Sequence, residues 1–429
     1  MTKTKIGILC GGGPAPGMNS VIAAVTIEAV KFGWEVIGIL DGFEHLIEGR
    51  TDQVMPLSIK DVSRIQQTGG TIIFTARANP AVRDETAADP EWRMHNCLRA
   101  LQELELSALV SIGGEDTAYS TTRLAYAAGG KIRVAHIPKT IDNDLPLPHG
   151  MPTFGFETAR HVGVNLLTNL MTDAQATKRW FIVGAMGRAA GHLALGITKA
   201  AGATLAVIAE EFPPEEPIRL RHVIDIVECS MLKRIVAGRP YGVAVLAEGI
   251  GLRLPEDDLV AAMPDVERDE HGHIRLAELN LNRVVVKLLK ERFKARGENI
   301  TFVSKNIGYE LRSAPPIPFD IDYTRSLGWG AVNYLRELLA SGSDEIGAMI
   351  TMQEGNLVPM PFGSFTDPDT GKIRVRRVDI DGTTYRVARE YMIRLEPEDI
   401  ADPSRLKALS AAAKMTPAAF EDRYGYLVK

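Results

Sequence analysis

The sequence predicts an α/β protein of two Rossmann-like lobes with mainly parallel sheets, and three observations carry that reading. Short apolar runs alternate with longer segments of helical spacing, each run is followed by a polar or glycine-rich loop, and two strand-helix series succeed one another, joined near Pro146 to Pro152. Such alternation is the pattern of parallel strands linked by crossover helices.

The first run, IGILC from Ile6, stops at three glycines, and NSVIAAVTIEAVKFG from Asn19 has the apolar spacing of a helix. EVIGIL from Glu35 and TIIFTA from Thr71 read as the next strands, and EWRMHNCLRALQELE from Glu91 reads as the crossover helix leading to ALVSIG at Ala108. IRVAHI at Ile132 ends the first series; RWFIVGA at Arg179, ATLAVIA at Ala203 and YGVAVLA at Tyr241 make up the second. Continuous apolar runs of this length suit strands covered on both faces. EEFPPEEP from Glu210 reads as a rigid acidic loop and LPEDDLVAAMPDVERDEHGH from Leu254 as a charged insertion, neither suggesting chemistry. After Pro359, GSFTDPDTGKIRVRRVDIDGTTYRVAREYMIRL reads as a hairpin followed by a helix, with a helical tail to Lys429. The expected division is residues 1–150 with about 308–360 in one lobe, 151–307 in the other, and 361–429 as an extension for packing or subunit contact.

Composition narrows the function. With 49 basic and 54 acidic residues the net charge is −5, which excludes a strongly basic nucleic-acid binder. The apolar stretch from Phe181 to Ile197 is interrupted by Arg188 and His192, whereas a membrane span needs about 20 apolar residues, so no membrane association is expected. The five-residue apolar run near the start is shorter than the core of a secretory signal. Cys10, Cys97 and Cys229 give neither a disulfide framework nor a CxxC metal signature, and a reducing cytoplasm is the expected compartment.

Ligands of open α/β sheets bind beyond the carboxyl ends of the strands, so the loops there matter most. They read GGGPAPGMN after Cys10, AR after Thr75, GGEDT after Ile112, PKTIDND after Ile137, MGRAAGH after Ala185 and EG after Ala247, a set that points to one large site for an anionic ligand. In the first, glycines let the backbone approach a phosphate; tight strand-to-helix packing without a ligand is the alternative. GGEDT, Gly113 to Thr117, adds two carboxylates beside a close-approach turn, a sensible arrangement if Mg²⁺ lies between them and a phosphate. Asp116 as a simple helix cap is the alternative. PKTIDND, Pro138 to Asp144, gathers a cation, a hydroxyl and two carboxylates in seven residues. Asp142 suits a general base for a sugar hydroxyl, Asp144 a metal ligand or orienting group, and Lys139 a neutraliser of phosphate charge, unless Asp142 and Asn143 merely form a turn. Arg179, Arg188 and Arg312 offer guanidinium forks for phosphate, although surface salt bridging is the usual fate of any single arginine. His136 and His192 lack metal-ligand spacing and read as structural.

In this order, GGxxPGMN, GGED, PKTIDND, MGR, EG and a late YxxR strongly resemble the phosphofructokinases, from about Ile6 to Arg312. The resemblance implies a phosphoryl-donor lobe and a sugar-phosphate lobe, Mg²⁺, and in-line transfer to the 1-hydroxyl of fructose 6-phosphate. It places Asp142 at the general base, with Lys139 and Thr140 near the transferred group. Gly13, Arg77, Asp116 and Lys139 fall on donor positions. Thr140, Asp142, Met186, Gly187, Arg188, Glu248, Tyr309 and Arg312 fall on sugar-phosphate positions. Arg179 and Lys305 match cations that reach the 6-phosphate bound to a neighbouring subunit, which implies a homodimer or homotetramer. Glu115, where many members carry Asp, and Asp144 are the implied metal ligands. ATP-using members carry Gly at the positions of Asp116 and Lys139 and tend to carry Asp where this chain has Pro14, whereas pyrophosphate-using members carry Asp and Lys. A carboxylate at Asp116 fills the space of a nucleotide α-phosphate and repels it, and Lys139 offsets the charge of a smaller donor. The expected reaction is therefore reversible transfer from pyrophosphate, releasing phosphate and giving fructose 1,6-bisphosphate, in glycolysis or gluconeogenesis. An ATP-dependent phosphofructokinase and a non-catalytic sugar-phosphate-binding subunit are the rivals.

Overall fold

A computed structural model describes residues 3–148, 150–262 and 280–428. Two compact units are formed, each from two stretches of chain: Met1–Ala159 with Tyr309–Arg376, and Arg160–Gly308 with Arg377–Lys429. The first break thus falls at Ala159, inside the helix Phe156–Thr177, rather than at the proline-rich join. The segment expected as a separate extension is divided between the two units at Arg376.

The first unit is built on seven strands: β1 (Lys5–Cys10), β2 (Glu35–Ile39), β3 (Val54–Pro56), β4 (Ala108–Gly113), β5 (Arg133–Pro138) and, below, β10 (Gly347–Gln353) and β11 (Asn356–Pro361), in the order β11-β10-β5-β4-β1-β2-β3. The five inner strands are parallel, and β3 and β11 add antiparallel edges. Side chains alternate across the sheet, as the period of two requires. Ile6, Ile8, Cys10, Val110 and Ile112 face one core, packed with residues of the helices Met18–Lys31 and Pro318–Ser341. Leu9, Ile37, Ile39, Leu109 and Val134 face the other, packed with residues of Trp92–Glu103 and Glu115–Ala128.

One expected strand is absent. TIIFTA forms a turn that keeps only an isolated parallel bridge between Ala76 and Gly11. Both neighbours of β1 are already in place as β2 and β4, and the Ile72 N–H donates to the Asn19 side chain while Ile73 accepts from the Asp41 N–H. Phe74 takes a positive φ of 57° and is exposed. The apolar run serves instead to place Ile73, fully buried, over Gly38 of β2. Conversely, β3 and β11 carry little pattern in the sequence: β3 is three residues long and β11 contains two prolines at an edge.

The second unit holds a parallel sheet of β6 (Trp180–Ala185), β7 (Leu205–Val207), β8 (Gly242–Ala247) and β9 (Phe302–Ile307), in the order β7-β8-β6-β9. The central β6 and β8 are almost wholly buried, which explains their unbroken apolar sequences. The C-terminal chain makes the expected tight turn, with a bridge between Thr366 and Ile373, then the helix Thr383–Glu390 and three further helices from Pro397, Pro403 and Pro417. Its end packs within the second unit: Phe420 and Tyr424 are fully buried, and Tyr426 donates to Asp225 at 2.8 Å. Asp225 and Glu228, both without solvent exposure, are paired by Arg292, and Arg296 also reaches Glu228. Buried carboxylates require such partners. The charged insertion from Leu254 enters the helix Glu256–Ala262; its residues 263–273 lie outside the described residues.

Candidate functional site

In the first unit, the ends of β1, β4 and β5 bring three of the signalled loops together. Thr117 is the reason for two of the glycines: a Cβ at Gly11 would lie 2.3 Å from its hydroxyl oxygen, and one at Gly113 2.2 Å from its Cβ. Its buried side chain therefore wedges between the ends of neighbouring strands. The Gly11 and Gly12 N–H groups are occupied by the Ile112 and Ala76 carbonyls, both at 2.9 Å, so these two glycines shape the loop rather than donate to a ligand. Gly13 follows, and the guanidinium carbon of Arg312 lies 3.1 Å from where its Cβ would be.

Lys139 sits at the centre of this group. Its backbone N–H donates to the Gly113 carbonyl at 2.8 Å, and its ammonium, buried, donates to the Gly13 carbonyl. Burial lowers its pKa to about 8, with Arg312 adding to the shift and Asp142 and Asp144 opposing it. Cys10, also adjacent, has its thiol pushed up to about 12 by burial and is neutral near pH 8, so the compensating negative charge comes from the two aspartates.

PKTIDND is held by its own atoms and by distant ones. Asp142 N–H donates to the Thr140 hydroxyl at 3.0 Å, and the Thr153 hydroxyl donates to the Thr140 carbonyl at 3.1 Å. Asn143 takes a φ of 59°, and its carboxamide oxygen accepts from the Thr153 N–H at 3.0 Å. The Asn143 carboxamide thus reaches a residue ten positions on, and the neighbouring Asp142 and Asp144 are half-buried. Burial raises the pKa of Asp144, while Thr140, Arg376 and Lys139 pull it down. Glu115 and Asp116 occupy the first turn of Glu115–Ala128, Asp116 exposed. Among the described residues no group of three or more His, Cys, Asp or Glu is arranged to hold a metal by itself. Glu115 and Asp144 carry carboxylates, the hard oxygen donors that Mg²⁺ takes alongside phosphate and water. Arg77, just past the Gly11–Ala76 bridge, is exposed. Tyr309 is exposed with the Arg312 guanidinium over its ring at 5.1 Å.

In the second unit the carboxyl ends of β8, β6 and β9 bring Met186, Gly187, Arg188 and Glu248 together. The Gly249 N–H donates to the Gly187 carbonyl at 3.1 Å, and a Cβ at Gly249 would lie 2.6 Å from the Arg188 carbonyl oxygen, so the EG loop backs directly onto MGR and admits only glycine there. Met186 N–H donates to the Ile307 carbonyl at 3.1 Å. Arg179 does not join them: it precedes β6, at the opposite end of a six-residue strand, about 20 Å away at roughly 3.3 Å per residue. Lys305 lies in the middle of the edge strand β9, paired with Val183 and exposed.

Two residues that sequence reasoning passed over hold these loops. Glu210, from the acidic loop that suggested no chemistry, accepts from the Gly191 N–H at 2.9 Å and the Val378 N–H at 3.1 Å, fixing the end of MGRAAG. Arg376, from the terminal hairpin, binds the PKTIDND loop. Neither has a local signal; acidic and basic residues in polar loops are ordinarily solvated. His136, fully buried, is hydrogen-bonded to the Ser111 hydroxyl at 2.8 Å and burial depresses its pKa to about 3, in keeping with a structural histidine. The three cysteines are buried and unpaired, and among the described residues no helix is long and apolar enough to cross a membrane.

The family model described as "Phosphofructokinase" matches residues 5–335. The chain is 51% identical over 422 residues to pyrophosphate--fructose 6-phosphate 1-phosphotransferase of Thermotoga maritima, covering 98% of each chain, and 47% identical to the protein of that name from Naegleria fowleri, covering 99% of this chain and 96% of the other. A solved pyrophosphate-dependent phosphofructokinase from Nitrosospira multiformis superposes with a TM-score of 0.66 at 16% identity over 90% of each chain, a likeness of fold.

Proposed function

The chain belongs to the phosphofructokinase family, and from that membership we propose that it transfers a phosphoryl group reversibly from pyrophosphate to the 1-hydroxyl of fructose 6-phosphate. The observation that carries the donor choice is the buried ammonium of Lys139 on the donor-loop carbonyl of Gly13, with Asp116 in the first turn of the neighbouring helix. A cation placed there suits a compact, highly charged donor, and a carboxylate suits exclusion of a further phosphate.

In the forward direction the sugar hydroxyl oxygen forms a bond to phosphorus as the bridging P–O bond of pyrophosphate breaks; the hydroxyl proton passes to Asp142 and phosphate leaves with the electron pair. Lys139 and Arg77 offset charge on the transferring group, and Thr140 orients it. Met186, Gly187, Arg188, Glu248, Tyr309 and Arg312 are proposed to bind the sugar phosphate. Arg179 and Lys305 are proposed to act on a neighbouring subunit's sugar phosphate, a role that suits the position of Arg179 at the far end of β6 and requires a homodimer or homotetramer. Glu115 and Asp144 would hold Mg²⁺, which when bound neutralises phosphate charge. Exchanging a phosphoanhydride of pyrophosphate for a phosphate ester is closer to thermoneutral than the same step from ATP, so both directions proceed, in cytoplasmic glycolysis or gluconeogenesis.

The test is formation of fructose 1,6-bisphosphate from fructose 6-phosphate and Mg²⁺ with pyrophosphate or ATP as sole donor. Activity with pyrophosphate and not ATP is expected. Activity with ATP alone overturns the donor assignment, and activity with neither supports the non-catalytic rival.

A further inference from the structure

The loop that carries Asp142 and Asp144 is gripped by one side chain that comes from more than two hundred residues further along the chain. Arg376 donates through Nε to the Asn143 carbonyl at 3.1 Å, through one terminal nitrogen to the Met151 carbonyl at 2.7 Å, and through the other to the Asn143 carboxamide oxygen. Its own backbone N–H donates to the Asp144 carbonyl at 2.7 Å. The chain reaches this position because the preceding turn is tied down: Thr366 bridges Ile373, which is buried, and Arg374 N–H donates to the Phe365 carbonyl at 3.0 Å. All of these groups belong to the first unit.

The grip falls where the backbone needs one. Asn143 is held at a φ of 59°, in the left-handed region that asparagine tolerates better than other non-glycine side chains, and the grip fixes it there. Three of the four bonds fall on Asn143 or on the carbonyl after it, and Asp142 and Asp144 leave the chain on either side. Arg376 uses its whole fork in this grip, because three acceptors in different directions suit a planar group with five donors, not an ammonium.

We propose that Arg376 is a positioning residue of the phosphoryl-transfer reaction, fixing the backbone at Asn143 so that the Asp142 carboxylate meets the sugar hydroxyl. This rests on the function proposed above. Arg376 holds the backbone of the loop that carries Asp142, so its loss is expected to act on the chemical step through geometry, and a misplacement of the base on the order of 1 Å costs up to about 100-fold in rate.

The experiment measures kcat and both KM values for the full-length wild type, Arg376→Ala and Arg376→Lys, with and without millimolar guanidinium chloride. For Arg376→Ala, kcat is expected to fall roughly 10- to 100-fold with KM values within about threefold of wild type. Arg376→Lys is expected to fall between the two, and added guanidinium to restore part of the activity of the Ala variant but not of the Lys variant. A kcat within about twofold of wild type, a loss confined to KM, or a loss without guanidinium rescue overturns the proposal. If Arg376→Ala does not fold, Asn143→Gly keeps the left-handed turn accessible while removing one acceptor of Arg376, and it is expected to lower kcat selectively; wild-type kcat there overturns the proposal. Assaying each protein with ATP as well separates the two readings. A wild type active only with ATP refutes the donor assignment while its Arg376 variants still decide the clamp; a wild type inactive with both donors ends both readings.

Discussion

Raising the pH discharges Lys139 before any ordinary lysine, and the kinetics should show it. In the unliganded protein its pKa is held at about 8, chiefly by burial, with the Arg312 charge adding to the shift and Asp142 and Asp144 opposing it. The sign follows from the lysine charge: below pH 8 the ammonium is present, above it the neutral amine is the favoured buried form. Because kcat/KM reports the free enzyme, kcat/KM for pyrophosphate should fall about tenfold per pH unit above pH 8. Bound pyrophosphate changes the balance. One negative charge about 4 Å from the ammonium, at an effective dielectric of about 20, favours the charged form by about 4 kcal/mol, or roughly three pKa units. The limb should therefore leave the kcat profile up to pH ~10. Lys139→Arg keeps its charge throughout and should flatten the kcat/KM profile, even if its absolute activity is lower, while Lys139→Met should weaken pyrophosphate use at every pH. Steady-state rates from about pH 6 to about 10 at fixed free Mg²⁺ make the measurement. An unchanged alkaline limb in Lys139→Arg would assign the titration to another group and refute the argument.

Three further outcomes are expected. Asp142→Asn should lower kcat by roughly 10²- to 10⁴-fold with little change in fructose 6-phosphate affinity, the usual value of a positioned base; near-wild-type turnover removes Asp142 from that role. Asp116→Gly, alone and with Lys139→Gly, should raise ATP-supported turnover relative to the pyrophosphate-supported rate, and no gain would place nucleotide exclusion elsewhere. Asp320→Ala should leave the chemistry alone but lower stability: the buried carboxylate accepts from Gly155 N–H at 2.9 Å, Thr158 N–H at 2.8 Å and the Thr158 hydroxyl, and orphaning these donors costs about 2–4 kcal/mol. Calorimetry should show a fall of roughly 5–12 °C in Tm, and an unchanged Tm would mean that water replaces the cap.

What the sequence makes legible here is whatever is local in the chain. Buried parallel strands are continuous apolar runs, and the loops at their carboxyl ends carry close-approach glycines and charged groups within a few residues, so β1, β2, β4, β5, β6 and β8 and their loops can all be read directly. TIIFTA shows the limit of that reasoning: its composition is that of a strand, but a strand also needs a vacant edge, and β2 and β4 occupy both sides of β1. The edge strands β3 and β11 are invisible for the opposite reason, being short or interrupted by proline.

The supports of the site are illegible on different grounds. Glu210 and Arg376 act through hydrogen bonds to backbone N–H and carbonyl groups, and such partners leave no trace in residue type: the Arg376 acceptors are the Asn143 and Met151 carbonyls and one carboxamide oxygen. A motif records the groups that meet a ligand because the chemistry restricts their identity. The residues that hold a motif in place are restricted by reach and donor geometry alone, and many positions along a chain satisfy those before folding selects one. Hence the terminal hairpin, expected to serve packing or subunit contact, supplies the side chain that bonds Asn143. The guanidinium fork is the one feature of that residue for which lysine offers no equivalent, which is why Arg376→Lys, rather than Arg376→Ala, measures how much of the effect is geometry and how much is charge.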